Sequence, residues 1–143
     1  MSTRVLLLSG PNLNLLGERE PEVYGTATLD DHVEAARAEA ATFGLELEHV
    51  QSNHEGTLVD AIHAARGTAA AIVINPGAFG HYAWSLHDAL ASFDGPIVEL
   101  HLSNIHARDE LHRHSKVSAS VAAVICGLGP YGYIVAMQAA VQR

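Results

Sequence analysis

Short apolar runs alternate with longer stretches of helical periodicity along the whole chain. Residues 5–8 are continuously apolar and predict a buried first strand. Over 28–43 the spacing changes. Leu29, Val33, Ala36, Ala40 and Phe43 recur every three or four positions, the stripe of an amphipathic helix. Asp30 and Asp31 suit the positive end of its dipole, and Gly44 ends it. A second strand over 45–51 and a second helix over 57–66 follow, the helix turning Leu58, Ile62 and Ala65 inward. Residues 70–74 form an unbroken apolar run, as expected of a strand covered on both faces. Asn75-Pro76-Gly77-Ala78 turns the chain into a third helix, 83–92, with Leu86, Leu90 and Phe93 on one side. Pro96 opens a fourth strand, 97–102. A polar loop with a short helical piece runs to Ser115, a fifth strand spans 120–126, and a last helix spans 131–142. Five strands alternating with helices predict α/β architecture with a parallel sheet. The specific expectation is a flavodoxin-like doubly wound fold, one domain over 1–143, with helices on both faces of the sheet.

One connection breaks the rhythm. Between the first strand and the first helix lie residues 10–25, far more than a strand-to-helix turn needs. The segment carries Leu13, Leu15, Leu16 and Val23 among Asn12, Asn14, Arg19 and Tyr24, with Gly and Pro at both ends. It predicts an ordered functional loop. Doubly wound folds place their sites outside the carboxyl ends of the strands. The loops after strands one, three and four occupy such positions and can converge on one cleft.

Composition narrows the function classes. The chain has 143 residues, 48% apolar and 17% charged, enough for a full core. Eight basic against sixteen acidic residues leave a formal charge of −8, which argues against a nucleic-acid partner. No stretch approaches a membrane span, and the first apolar run, preceded only by Arg4, is short for a signal peptide. A cytoplasmic protein with no membrane partner is expected. The single cysteine, Cys126, can form no internal disulfide. Ten histidines are present, but without an HExxH or paired CxxC spacing. No metal site is expected, and His112-x-His114 alone does not make one.

The fourth strand carries the clearest candidate chemistry. With a side-chain period of two, Glu99, His101 and Ser103 share a face. A polar stripe at the carboxyl end of a parallel strand is the wall of a site, or else the solvated face of an edge strand. A glutamate beside a histidine can orient the imidazole and support its charged form, which suits a general acid. In the long loop, Tyr24 is a candidate base or simply a packed aromatic. A phenol ionises near pH 10, so a tyrosine base near neutrality needs about 4 kcal/mol of help to its charged form. The Arg19 guanidinium can supply part of it. After strand three, Asn75 can read hydroxyls and a carboxylate or serve as a turn residue before Pro76, and His81 follows. The pair Gly127 and Gly129 falls short of a phosphate-binding fingerprint.

These residues resemble a known family, the type II 3-dehydroquinate dehydratases, small metal- and cofactor-free enzymes of the shikimate and quinate pathways. The resemblance runs through Gly10-Pro11-Asn12-Leu13-Asn14-Leu15-Leu16-Gly17, Arg19-Glu20-Pro21, Tyr24-Gly25 and Gln51-Ser52-Asn53-His54-Glu55-Gly56. It continues in Ile74-Asn75-Pro76-Gly77-Ala78, His81, Asp88-Ala89-Leu90, Val98-Glu99, and His101 to Arg108. His114-Ser115, Gly127-Leu128-Gly129 and Gly132-Tyr133 complete it. It implies anti elimination of water from 3-dehydroquinate to give 3-dehydroshikimate. Tyr24 as tyrosinate would take the proton next to the ketone, and Arg19, with Arg108 as an auxiliary, would keep it ionised. Asn12 would stabilise the enolate by way of a bound water. His101, oriented by Glu99, would protonate the departing hydroxyl. Asn75, His81, Leu102, Ser103 and the position of His112 would hold the substrate. Asp88 would reach a neighbouring subunit's site in a dodecamer of four trimers. The sequence departs from the family pattern at His112, where an arginine is usual and where Arg113 stands next in the chain. It also departs at Ser9, at Gly80, Tyr82 and Trp84 around His81, and at His87 beside Asp88. The alternatives are a binding or regulatory paralogue that keeps the cleft without turnover, and a nucleotide or receiver domain. The latter would lack its phosphate loop and acidic cluster.

Overall fold

A computed structural model describes residues 3–142. The strands are β1 (Arg4–Ser9), β2 (Glu46–Gln51), β3 (Ala71–Asn75), β4 (Ile97–His101) and β5 (Ala123–Cys126). The helices are α1 (Pro21–Tyr24), α2 (Leu29–Thr42), α3 (Glu55–Ala65), α4 (Trp84–Ala91), α5 (Glu110–Arg113) and α6 (Tyr131–Gln142). Single 3₁₀ turns lie at Leu13–Leu15, Gly77–His81, Ile105–Ala107 and Ser118–Ser120. All strand pairings are parallel, in the order β2-β1-β3-β4-β5. This is the flavodoxin-like doubly wound arrangement expected from the alternation of elements.

The two faces of the sheet carry separate cores. Val5, Leu7, Val73, Val98 and Leu100 face α2 and α6, meeting Val33, Ala36, Tyr133, Ala136 and Met137. Leu6, Leu8, Ile72, Ile74 and Ile97 face α3 and α4, meeting Leu58, Ile62, Leu86 and Leu90. Each fully buried leucine contributes about 1.5–3 kcal/mol relative to an exposed one. Helix α2 starts at a capping box, in which Thr28 Oγ1 accepts from the Asp31 N–H and Asp31 accepts from the Thr28 N–H.

The structure corrects some local expectations. Phe43 leaves the apolar stripe and is 42% exposed. The helix ends at Thr42, and Phe43 and Gly44 unwind it, with Gly44 at φ +74°. The fifth strand is shorter than expected, because residues 118–120 close a 3₁₀ turn instead of pairing. Strand β4 lies between β3 and β5, so its polar stripe is no edge-strand face.

The strand order reverses between β1 and β3, and there the loops that follow them pack backbone to backbone. A Cβ on Gly10 would sit 2.0 Å from the Pro76 carbonyl oxygen, so only glycine fits there. The Gly10 N–H donates to the Asn75 carbonyl at 2.9 Å. The long loop is ordered. Leu13 and Leu16 are buried in the α2/α6 core, and backbone bonds from Leu15 to Asn12 (2.9 Å) and Gly25 to Pro21 (2.8 Å) shape its turns.

Candidate active site

A cleft of about 570 Å³, including its open mouth, lies over the carboxyl ends of β1, β3 and β4. Three connections wall it. The loop after β1 supplies Asn12, Arg19 and Tyr24, the turn after β3 supplies Asn75 and His81, and the segment from the end of β4 supplies His101, Leu102, Ser103, Arg108 and His112. The crevice sits at the reversal of strand order, as expected for this class of sheet. Two candidates lie outside its lining. Glu99 is wholly buried behind His101. Asp88 projects from α4 with its side chain 80% exposed and paired to His87 at 3.2 Å.

On β4, Glu99 and His101 point to the same face, one behind the other. His101 Nε2–H donates to Glu99 Oε2, leaving Nδ1 as the ring nitrogen free of that bond. Ser118 Oγ donates to Glu99 Oε1 at 2.5 Å. Burial pushes the Glu99 carboxyl up, but the hydrogen bond and charge of His101 and the bond from Ser118 outweigh it. The group is held below its ordinary value. An ionised carboxylate fixed in this way is the counter-charge an imidazolium needs. The turn from Gly127 to Pro130 does not line the cleft. It supports the cleft wall, because the Gly129 N–H donates to the Leu102 carbonyl at 3.0 Å.

Across the cleft, Arg108 Nη1 donates to Tyr24 Oη at 2.9 Å. Arg19 and Arg108 lie over the Tyr24 ring with guanidinium carbons 5.4 and 5.5 Å from its centroid. Arg19 also pairs with Glu20 at 3.1 Å. Both cations therefore face the phenol, and the one bonded to its oxygen is the distant Arg108. Glu20 precedes Pro21 at φ +43°, a left-handed conformation costly for a residue with a Cβ. It sets the entry of the one-turn helix α1 that carries Tyr24.

Asn12 takes φ +67°, a conformation asparagine tolerates. Its N–H donates to Asn53 Oδ1 at 3.0 Å. Asn75, nearly buried, donates through Nδ2 to the Tyr133 hydroxyl at 3.4 Å. Burial drives that phenol up to about 12, opposed by the bond from Asn75, so it remains a neutral partner. His81 Nδ1–H donates to the His114 carbonyl at 2.5 Å, which frees Nε2. Arg113 does not line the cleft. It pairs with Glu110 at 3.3 Å and donates to the Arg108 carbonyl.

Several supporting residues have no role that the sequence assigns: Asn53 under Asn12 and Tyr133 under Asn75, which stand within the family motifs, and Ser118 behind Glu99, which does not. Their contacts cross between elements and leave no local pattern. Ser9, wholly buried, bonds His49 Nε2 at 2.9 Å. Among the described residues no group of three or more His, Cys, Asp or Glu side chains could hold a metal ion, and no helix is long and apolar enough to cross a membrane.

Known proteins are closely similar to this chain in sequence and fold. A catabolic 3-dehydroquinase from Verticillium alfalfae is 56% identical over 143 residues, covering 100% of this chain and 95% of that protein. A 3-dehydroquinate dehydratase 1 from Corynebacterium efficiens is 56% identical over 133 residues, covering 93% of this chain and 88% of that one. The crystal structure of a type II dehydroquinase from Propionibacterium acnes superposes with a TM-score of 0.92 at 41% identity, covering 100% and 99% of the two chains. The pattern of the family "Dehydroquinase class II" matches residues 3–141, and with the fold, the cleft and these relatives in agreement, the chain belongs to the class II dehydroquinase family.

Proposed function

We propose that the protein is a hydro-lyase that converts 3-dehydroquinate to 3-dehydroshikimate by anti elimination of water, without metal or cofactor. The observation that carries the reading is the pairing of two opposed proton-transfer groups in one cleft: Tyr24 beneath two guanidiniums, and His101 backed by buried Glu99. Tyr24 as phenolate takes the proton on the carbon next to the ketone, and the electron pair moves into an enolate. Asn12 faces the developing oxyanion. When the enolate collapses, the bond to the C1 hydroxyl breaks and His101 gives its Nδ1 proton to the leaving oxygen, releasing water. The phenol and imidazole then exchange protons with solvent, and atoms and charge balance. Asn75, His81, Leu102, Ser103 and His112 hold the substrate's hydroxyls and carboxylate. The chain's net charge is −8, yet Arg19 and Arg108 line the cleft, a local field suited to an anionic substrate.

The chain works as one catalytic domain over 1–143, in the cytoplasm, within trimers assembled into a dodecamer. The exposed Asp88 beside exposed Tyr82 and Trp84 supports a role for it at a neighbouring subunit rather than in its own cleft.

Purified protein given 3-dehydroquinate with a chelator present is expected to raise enone absorbance. Absence of turnover would overturn the enzyme reading in favour of a binding paralogue, and chelator sensitivity would overturn its metal independence. Tyr24→Phe is expected to lose turnover by about 10²-fold or more, the scale of general-base catalysis, while still binding a substrate-like acid. A wild-type rate in that variant would remove Tyr24 as the base.

A further inference from the structure

His112 lines the cleft, and its partner is a carboxylate. Its Nδ1 lies 2.9 Å from both Asp109 oxygens. The same Asp109 caps α5 by accepting the His112 N–H at 3.0 Å, so ring and backbone are held together. The carboxylate accepts, so Nδ1 carries the proton, and Nε2 is the nitrogen left for a ligand. The surrounding charges are otherwise engaged. On the same helix, Glu110 pairs with Arg113 at 3.3 Å and with His114 at 2.8 Å. From the turn Gly77–His81, His81 meets His112 edge to face at 5.6 Å, with its own Nδ1 on a backbone carbonyl. The turn Ile105–Ala107 packs against α5 and carries His106, and Arg108 beyond it is bonded to Tyr24. Across the cleft, Arg19 pairs with Glu20, and His101 is held by Glu99.

We infer that Asp109 and His112 form a titratable clamp, which holds a carboxylate-bearing ligand more tightly when His112 is protonated. This deepens the dehydroquinate reading and rests on it. With neutral His112 the pair carries a net charge of −1 beside an anionic ligand, and Nε2 offers only a lone pair. With protonated His112 the pair is neutral and Nε2–H donates. A charge-assisted donor to a ligand hydroxyl is stronger than the neutral acceptor it replaces, and neutralising the pair removes its repulsion of the ligand's carboxylate. Asp109 is the positioning residue and His112 the one that touches the ligand.

The test is the calorimetric Kd of quinate, a carboxylate analogue that cannot eliminate, measured from pH about 5 to about 8. Turnover of 3-dehydroquinate is measured in parallel. The wild-type Kd is expected to rise roughly tenfold from the acid to the alkaline end, equivalent to about 1.4 kcal/mol. His112→Gln is expected to shrink that rise at a weak Kd, and His112→Arg, a permanent cation, to shrink it at a tight one. Asp109→Asn is expected to weaken binding several-fold, with Asp109→Glu recovering most of it. A His112→Gln profile superimposable on the wild type overturns the inference, as does a flat wild-type profile. If turnover is absent but the profiles separate, the function assignment fails and the clamp stands. If turnover is present but the profiles coincide, only the clamp fails.

Discussion

Arg108 and Tyr24 stand 84 residues apart in the chain, yet the guanidinium Nη1 donates to the phenolic oxygen at 2.9 Å. The bond ties the loop after β1 to the segment after β4 across the mouth of the cleft. Arg19, five residues from Tyr24, lies over its ring and is shared with Glu20.

The two arginines should therefore separate on substitution. Arg108→Met is expected to lower kcat/KM by about 10²-fold, since it removes a charge-assisted bond to the base and a cation from a half-buried site. Arg19→Met is expected to cost less. Steady-state kinetics of both variants decide the matter, and a larger loss in Arg19→Met would make Arg19 the principal partner of Tyr24.

Glu99 should affect both rate and acid stability. Glu99→Gln keeps the shape but removes the counter-charge of His101, and kcat is expected to fall by about 10²-fold. The folded carboxyl titrates below its ordinary 4.5, so the unfolded chain takes up its proton first as pH falls. The stability Glu99 contributes is fully present above that ordinary value and is lost as pH drops through the lower, folded one. Urea unfolding at stepped acid pH is expected to show a shallower decline for Glu99→Gln than for the wild type in that window. Parallel declines would show that the buried carboxyl carries no such linkage.

His32 should act at milder acidity. It is buried and stacked on Tyr133, ring centroids 4.9 Å apart and planes parallel, and its Nε2 has no hydrogen-bond partner. Burial holds it below the ordinary imidazole value of 6.5, with Asp31 opposing weakly. The unfolded chain binds this proton near 6.5 and the folded chain does not. Stability is therefore whole above 6.5 and declines as pH falls toward the folded value. His49 shifts in the same direction, through burial and then Arg37. His32→Phe keeps the aromatic stack and should remove part of that decline, read as the urea midpoint at pH about 6.5 and about 5. An unchanged difference between the two midpoints would exclude His32 as a source of acid sensitivity.

The residues differ in how openly they declare themselves in one dimension. The stripe Leu29-Val33-Ala36-Ala40 and the apolar run of β3 announce helix and strand, because each is a regular pattern among near neighbours. Glu99 and His101 are legible together because a strand repeats every two residues. Phe43 misleads because its spacing continues a helix that Gly44 has already begun to unwind. Arg108 receives only a secondary role beside Arg19, because proximity in the chain favours Arg19. Asn53 and Tyr133 stand in the family motifs without a sign of their partners, and Ser118 carries no local mark at all.

The sequence by itself determined the order and type of the elements, the doubly wound class, the family motifs and the roster of chemical groups, since these rest on side-chain periodicity and residue type. Only the tertiary structure decided which group meets which. It placed Arg108 on Tyr24, Ser118 on Glu99, and Asp88 outside the cleft. The physical reason is the sheet order β2-β1-β3-β4-β5. It gathers the ends of three strands far apart in the chain at one edge, and buried polar groups there take whichever partner that packing brings within hydrogen-bond reach.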